Sequence, residues 1–359
     1  MRKFLFYMPA LAGGGAERVW AVLASSFAKA GHEVIFAVDF DRAENRGFLD
    51  PSLRLVTLHR NHAIGVLKLA ALIRRERPDA TLSGIGAANL KHALAALLAL
   101  RARRAILCFH GFFPSEPQRL SRWANRLTPL LTRITGRAVA VSDGLREALI
   151  RDHGAEPRRT QRIHNPVDPL GAPANLSREA LAARAPIVLF VGRLVADKDL
   201  PTLIDAFRRV THPEARLDIV GDGPLREEIE ARVAAHGLGD RVRFRGYIAD
   251  PSEAYRTARC LVLTSRFESF GNAVAEGLAH GLPVVTTSAA GPVEIVEQGR
   301  YGTVVPIGDA AAVARAIDGA LADPGDPAPR QARARQFSIA DAARHYLEII
   351  EGMIAEDPR

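Results

Sequence analysis

At 359 residues, 48% hydrophobic and 25% charged, the chain has the composition of an ordinary folded protein and the length of two domains. No stretch approaches the roughly 20 apolar residues of a membrane-crossing helix, and the two cysteines, Cys108 and Cys260, sit in separate apolar runs, which excludes a disulfide framework and suits a reducing cytosol. The net charge of +8 conceals an asymmetry: up to Asp168, 26 Lys and Arg face 14 Asp and Glu, a net of +12, whereas beyond it 22 face 26, a net of −4.

The opening run, Met-Arg-Lys-Phe-Leu-Phe-Tyr-Met-Pro, mimics a signal peptide, but Pro9 breaks it and it leads straight into Gly13-Gly14-Gly15 and a helical pattern. Residues 4–8 therefore read as a first buried strand, and the glycine turn lets the backbone approach a phosphate or sugar closely. Further strands are predicted at 33–38, 80–83, 105–109 and 138–141, alternating with amphipathic helices. Asp39-Phe-Asp41 imitates a metal-binding Asp-x-Asp, but its place after the second strand favours a plain acidic turn. His110-Gly111 ends another strand and puts an imidazole at its rim. The segment 118–134 spaces Arg119, Arg122, Arg126 and Arg133 among Leu120, Trp123, Leu127, Leu130 and Ile134, predicting one basic amphipathic helix. A basic half is expected to meet an anionic surface, either lipid head groups or nucleic acid, and a helix of this kind can lie on a membrane or else pack its apolar face on the core. Residues 64–77 repeat the theme with Arg74, Arg75 and Arg77.

The Pro- and Gly-rich run from Arg162 to Pro173 places a linker near Asp168. Beyond it, strands are predicted at 187–191, 216–220, 242–245, 260–264 and 283–287. The fold class is thus α/β, two Rossmann-like halves with parallel sheets, whose ligands belong at the carboxyl ends of the strands and, for two facing sheets, in a cleft between them. Domain boundaries are expected at 1–168 and 169–340, with a helix in 341–359 returning to the first domain.

Three motifs of the second half follow strands. Gly192-Arg193 with Lys198 offers two cations for a diphosphate, and Pro201 suits a first helical turn. Gly221-Asp-Gly-Pro224 is a turn ahead of a helix. Glu268-Ser-Phe-Gly-Asn-Ala-Val-Ala-Glu276 sets two carboxylates around a glycine turn and helix start: amides of Phe270, Gly271 and Asn272 can face an anion, while Glu268 and Glu276 accept hydroxyl hydrogen bonds.

In their order along the chain, the glycine loop with Glu17-Arg18, His110-Gly111, Val141-Ser142, Asn165-Pro-Val-Asp168, Gly192-Arg193 with Lys198, Gly221-Asp-Gly-Pro224 and the 268–276 motif resemble the retaining glycosyltransferase family 4, across almost the whole chain. That resemblance implies a GT-B fold with the acceptor bound mainly by the first domain and the nucleotide sugar by the second. It gives Arg193 and Lys198 the donor diphosphate, helped by the amides of Phe270, Gly271 and Asn272. Glu268 would orient the transferred sugar, Glu276 would bind the ribose, Gly14 and Gly15 would approach the diphosphate or sugar, and His110 would contact the sugar near the reacting carbon. It further implies retention of configuration by a front-face route, with no metal and no permanently bound cofactor.

Ser269 and Asn272 depart from the commoner family residues toward enzymes that use UDP-hexoses or UDP-N-acetylhexosamines. The expected reaction is transfer of such a sugar to a lipid-linked or glycolipid acceptor in surface-polysaccharide or lipopolysaccharide assembly. The expected location is the cytoplasm, peripheral on the inner membrane face. The alternatives are a GT-B sugar-nucleotide epimerase, against which the Arg193, Lys198 and Glu268 set argues, and a nucleic-acid-binding protein, for which no helix-turn-helix, zinc or aromatic RNA-binding signature is present.

Overall fold

The computed structural model describes residues 1–42, 44–111, 119–167 and 172–356, with backbone only at 119–121. Asp168, Gln118 and the side chains of Arg119 and Leu120 therefore lie outside the described residues. The chain divides into two compact units, the first comprising Met1–Pro166 and Ser338–Arg359, the second Val167–Phe337.

Unit 1 is built on seven parallel strands: β1 (Lys3–Met8), β2 (Glu33–Val38), β3 (Arg54–Thr57), β4 (Ala80–Gly84), β5 (Ala105–Phe109), β6 (Arg137–Ala140) and β7 (Thr160–Arg162), in the order β3-β2-β1-β4-β5-β6-β7. Its helices are α1 (Gly15–Lys29), α2 (His62–Glu76), α3 (Gly86–Leu98), α4 (Arg119–Arg126), α5 (Thr128–Ile134) and α6 (Asp143–Arg151). Unit 2 carries six parallel strands, β8 (Ile187–Val191), β9 (Arg216–Val220), β10 (Val242–Gly246), β11 (Cys260–Leu263), β12 (Val284–Thr287) and β13 (Thr303–Val305), ordered β10-β9-β8-β11-β12-β13. Around them lie α7 (Arg178–Ala182), α8 (Leu200–Phe207), α9 (Arg226–Ala235), α10 (Ser252–Thr257), α11 (Asn272–Ala279), α12 (Ala290–Ile295), α13 (Ala310–Ala322) and α14 (Ala328–Ala334). Both sheets follow the doubly wound order, and in each the order reverses beside the first strand, at β1/β4 and at β8/β11.

Burial on both faces explains the near-continuous apolar strands. Along β1 the side chains alternate: Phe4, Phe6 and Met8 pack with Trp20, Phe27 and Phe36, while Leu5 and Tyr7 pack with residues of α2 and α3. The final helix, α15 (Ile339–Glu356), supplies Tyr346, Ile350 and Met353 to the first of these cores. Burying each is worth roughly 1.5–3 kcal/mol, which suffices to hold the helix on unit 1.

The sequence expectation of one continuous helix over 118–134 is corrected: two helices meet at Leu127, because Pro129, without an N–H, occupies the opening turn of the second. The break leaves Trp123 59% and Leu130 53% exposed, with Arg122, Arg126 and Arg133 exposed beside them, while Ala124 and Leu131 are buried. The acidic turn at 39–41 also differs from its expectation. Asp39 is buried; it accepts hydrogen bonds from the Tyr7 hydroxyl at 3.0 and 3.1 Å and forms an ion pair with the equally buried Lys91. Only Asp41 is a surface group, paired with Arg46.

A second buried polar cluster lies in α3. The His92 imidazole meets Ser83 Oγ at 2.8 Å and Thr81 Oγ1 at 2.6 Å, and Ser83 donates on to Asn89. One donor and one acceptor nitrogen satisfy that arrangement, so neutral imidazole fits it. Burial pushes the His92 pKa down to about 3, below the ordinary 6.5. Between those values the unfolded chain binds the extra proton, so stability is lost on acidification, by up to about 1.4 kcal/mol per pH unit. Urea melts from pH 7 to pH 5 are expected to show stability falling with pH, with His92 and the likewise depressed His110 both contributing, and His92→Gln to reduce the slope; parallel slopes would exclude His92 as a source.

Candidate functional site

In unit 2, the reversal of strand order at β8/β11 opens a crevice between the loops leaving those two strands. The first loop is laced to the turn after β9: Gly192 N–H donates to Val220 O and Leu194 N–H to Asp222 O, both at 3.0 Å. Gly221, at φ 134°, makes this approach feasible, since a Cβ there would lie 1.9 Å from Gly192 O. The same loop is clamped from the β11 side. Thr264 Oγ1 donates to the carbonyls of Lys198 and Asp199 at 3.0 and 3.1 Å, Arg266 N–H donates to Asp197 O at 2.8 Å, and Arg266 Nε reaches the buried Asp199 carboxylate at 2.9 Å. The ammonium of Lys198 thereby meets the carboxylate of Glu268 in an ion pair whose side chains are 19% and 17% exposed.

The loop continues to Gly271, which at φ 97° turns the chain into α11. Helix-start amides lack partners within their own helix and carry its positive dipole end, so they favour an anion. Phe270 packs its ring on Phe337, centroids 5.6 Å apart, leaving only its main chain to serve a ligand. In the second turn of α11, the half-buried Glu276 accepts a 2.7 Å hydrogen bond from the Tyr255 hydroxyl, whose ring stacks on His280. Arg193 is exposed at the start of the 192–198 loop. Unit 2 thus assembles an ammonium, a helix N-terminus and two carboxylates on the carboxyl rim of its sheet, a set suited to a diphosphate with hydroxyl groups on either side.

In unit 1, Gly14 is the N-cap of α1 at φ −86°, with Gly15 the exposed first residue of the helix. The Asn45 side chain donates to the carbonyls of Ala12 and Gly14 and fixes the loop. His110 follows β5 and sets its ring edge toward Trp20, centroids 5.8 Å apart, so the two motifs share the carboxyl rim of that sheet. Burial pushes the His110 pKa down to about 4, against the opposing influence of the Asn165 side chain. Neither ring nitrogen reaches a partner at full hydrogen-bond geometry among the described residues. Ser142, by contrast, is wholly buried as the N-cap of α6, accepting from Leu145 N–H. Next to β4, at the strand reversal, Ile85 adopts φ 69°, ψ 149°, a strained backbone for a β-branched residue.

Sequence reasoning missed Asp199, Thr264 and Arg266, which hold the Lys198 loop, and Tyr255, which holds Glu276. No sequence spacing signals them, because each acts through a partner 21 to 67 residues away. Among the described residues no group of three or more His, Cys, Asp or Glu converges for a metal, and no helix is long and apolar enough to cross a membrane.

Residues 174–338 match the model of glycosyl transferases group 1, and residues 13–169 that of Glycosyltransferase Family 4. The lipopolysaccharide core biosynthesis glycosyltransferase LpsE of Rhizobium meliloti is 30% identical over 317 residues, 86% of each chain. LpsD of the same organism is 31% identical over 182 residues, 48% of this chain and 52% of its own. Among solved structures, Anabaena Alr3699/HepE in complex with UDP and glucose superposes with a TM-score of 0.84 at 24% identity, over 98% of this chain and 100% of that one. The two matched models meet at the boundary between the two units, and the likeness to LpsE runs through both. The chain therefore belongs to glycosyltransferase family 4, and is a glycosyltransferase made of two Rossmann-like domains of the GT-B type.

Proposed function

We propose that the protein is a retaining, metal-independent hexosyltransferase that moves a hexose or N-acetylhexosamine from a UDP-sugar to a lipid-linked or glycolipid acceptor. The observation that carries this reading is the Lys198–Glu268 pair beside the N-terminus of α11, at the strand reversal of unit 2. Lys198 and Arg193 hold the diphosphate together with the amides of Phe270, Gly271 and Asn272, and Glu276, steadied by Tyr255, binds the ribose. When the diphosphate engages Lys198, Glu268 is released to accept hydroxyl hydrogen bonds from the sugar.

In the reaction the bond from the anomeric carbon to the diphosphate oxygen breaks. The acceptor oxygen bonds to that carbon on the same face, and its proton passes to the leaving phosphate. Lys198, Arg193 and the helix amides stabilise the charge that develops there without a metal or a resident cofactor. Unit 1 holds the acceptor, with Gly14 and Gly15 approaching the donor and a neutral His110 contacting the sugar. UDP is supported by the HepE structures solved with UDP and with UDP-glucose, and the acceptor class by the names of LpsE and LpsD. Peripheral attachment to an anionic membrane at the cytoplasmic face is supported by exposed Trp123 and Leu130 among exposed arginines.

The test is thermal stabilisation across nucleotide sugars. A UDP-hexose or UDP-N-acetylhexosamine at 100-fold over Kd is expected to add about 2.7 kcal/mol of stability. Glu276→Ala is expected to lose most of this increment for UDP itself, and Glu268→Ala only the part that depends on the sugar. Stabilisation by GDP- or ADP-sugars alone would sink the UDP assignment.

A further inference from the structure

Unit 1 has a second concave feature, at the opposite end of its sheet from His110. Five residues of β5 separate the two rims, on the order of 15 Å. Here a cavity of about 350 Å³ is lined by Arg103, Gly136, Arg137, Arg159, Met353 and Glu356. Arg103 precedes β5, Arg137 opens β6 and Arg159 immediately precedes β7, so three neighbouring parallel strands deliver three guanidiniums to one place. Gly136 keeps the floor low: a Cβ there would meet Arg103 O at 2.3 Å and the Met353 methyl at 2.7 Å.

Among the described residues, the guanidiniums that line this cavity outnumber the carboxylates. Three arginines face one carboxylate, Glu356, which pairs with Arg137 while its own side chain remains 59% exposed. The Arg137 side chain is only 10% exposed, and its Nε has no hydrogen-bond partner among the described residues. Of the five donors a guanidinium offers, Arg103 commits one terminal nitrogen to Arg133 O, and Arg159 one to the carbonyls of Thr135 and Gly136. These bonds fix the cations in place without neutralising them. Burial lowers the Arg159 pKa, with the charges of Arg103 and Arg137 acting in the same direction and those of Glu356 and Glu156 opposing them.

We propose that this cavity binds a phosphate group, as a free phosphorylated molecule or as a phospholipid headgroup, with Glu356 occupying Arg137 until the anion arrives. Convergent guanidiniums suit a tetrahedral dianion, which each can grip through two parallel N–H bonds. Glu356 is then an intramolecular competitor. Its removal frees Arg137, whereas removal of Arg103 subtracts a ligand; neither side chain belongs to the donor site.

Two variants of opposite expected sign test this. Titrated with inorganic pyrophosphate by calorimetry, Glu356→Gln is expected to bind several-fold tighter than the parent and Arg103→Gln several-fold weaker. Turnover should stay unchanged in both. The same pair is measured for sedimentation with phosphatidylglycerol-containing vesicles against phosphatidylcholine alone. Shifts with pyrophosphate assign a free phosphorylated ligand, and shifts confined to the anionic vesicles assign a lipid headgroup. If both variants match the parent in both assays, pyrophosphate occupies only the donor site, vesicles are held elsewhere, and the proposal falls.

Discussion

Lys198→Ala is expected to lower kcat roughly 10²–10³-fold, the usual loss when one fixed donor to a developing negative charge is removed. In the proposed reaction the leaving diphosphate gains charge as the anomeric bond breaks, and Lys198 is the cation that the 192–199 and 264–268 loops hold in place for it. The protein should remain folded. Both partners of the ion pair retain access to water, so leaving Glu268 alone is expected to cost about 1 kcal/mol. Single-turnover measurements with saturating donor isolate the effect on chemistry, and Lys198→Arg should recover part of it, since Arg keeps the charge with altered geometry. A variant that turns over near the parental rate, at normal melting temperature, would remove Lys198 from the reaction.

The second large effect is on stability. Asp39 and Lys91 are each only 4% exposed, and the Tyr7 hydroxyl shares its one proton between both oxygens of the same carboxylate. Lys91→Met leaves that carboxylate charged and buried with only a hydroxyl for company, which is expected to cost 3–5 kcal/mol, on the order of measured losses for broken buried pairs. Pairing it with Asp39→Asn removes the stranded charge and should restore much of the loss, because Tyr7 can still donate to an amide oxygen. Chemical denaturation of the two singles and the double gives the coupling directly. Strict additivity would mean that the two groups do not depend on each other. The result also bears on Asp39-Phe-Asp41 as a metal motif, since a carboxylate already engaged by a buried lysine and a tyrosine is poorly placed to serve an ion.

Much of the architecture was legible from apolar runs. Nine of the ten predicted strands lie inside their sheets, where burial on both faces calls for apolar runs; the tenth, β10, is an edge strand that sets Val242 and Phe244 between arginines. The three that escaped, β3, β7 and β13, are all sheet edges. Arg54–Thr57 is half exposed, Thr160–Arg162 is polar, and Thr303–Val305 has three residues, so none carries a run long enough to register. The division of 118–134 into α4 and α5 turned on Pro129, a signal present in the sequence but outvoted by the arginine spacing. Site residues on glycine-bearing turns could be named because turn chemistry is local. Their supports could not: Arg266 with Asp199, and Tyr255 with Glu276, meet only after strands and helices distant in sequence are folded side by side.

One contact near the unit boundary bears on how the chain is assembled. Val167 N–H donates to Phe337 O at 2.8 Å, so the two ends of unit 2 lie within a hydrogen bond of each other. Unit 2 is, in effect, an insertion into unit 1, entered and left at one point, as domains tolerant of excision are. It has a buried apolar core of its own, with Leu189, Phe190, Leu217, Ile219 and Leu261 fully buried. Unit 1, although begun first, must wait: Tyr346, Ile350 and Met353 close the core around Phe6 and Trp20, and they are made after the whole of unit 2. Order of synthesis and order of core closure therefore differ between the two units, and the helix that seals unit 1 is made last.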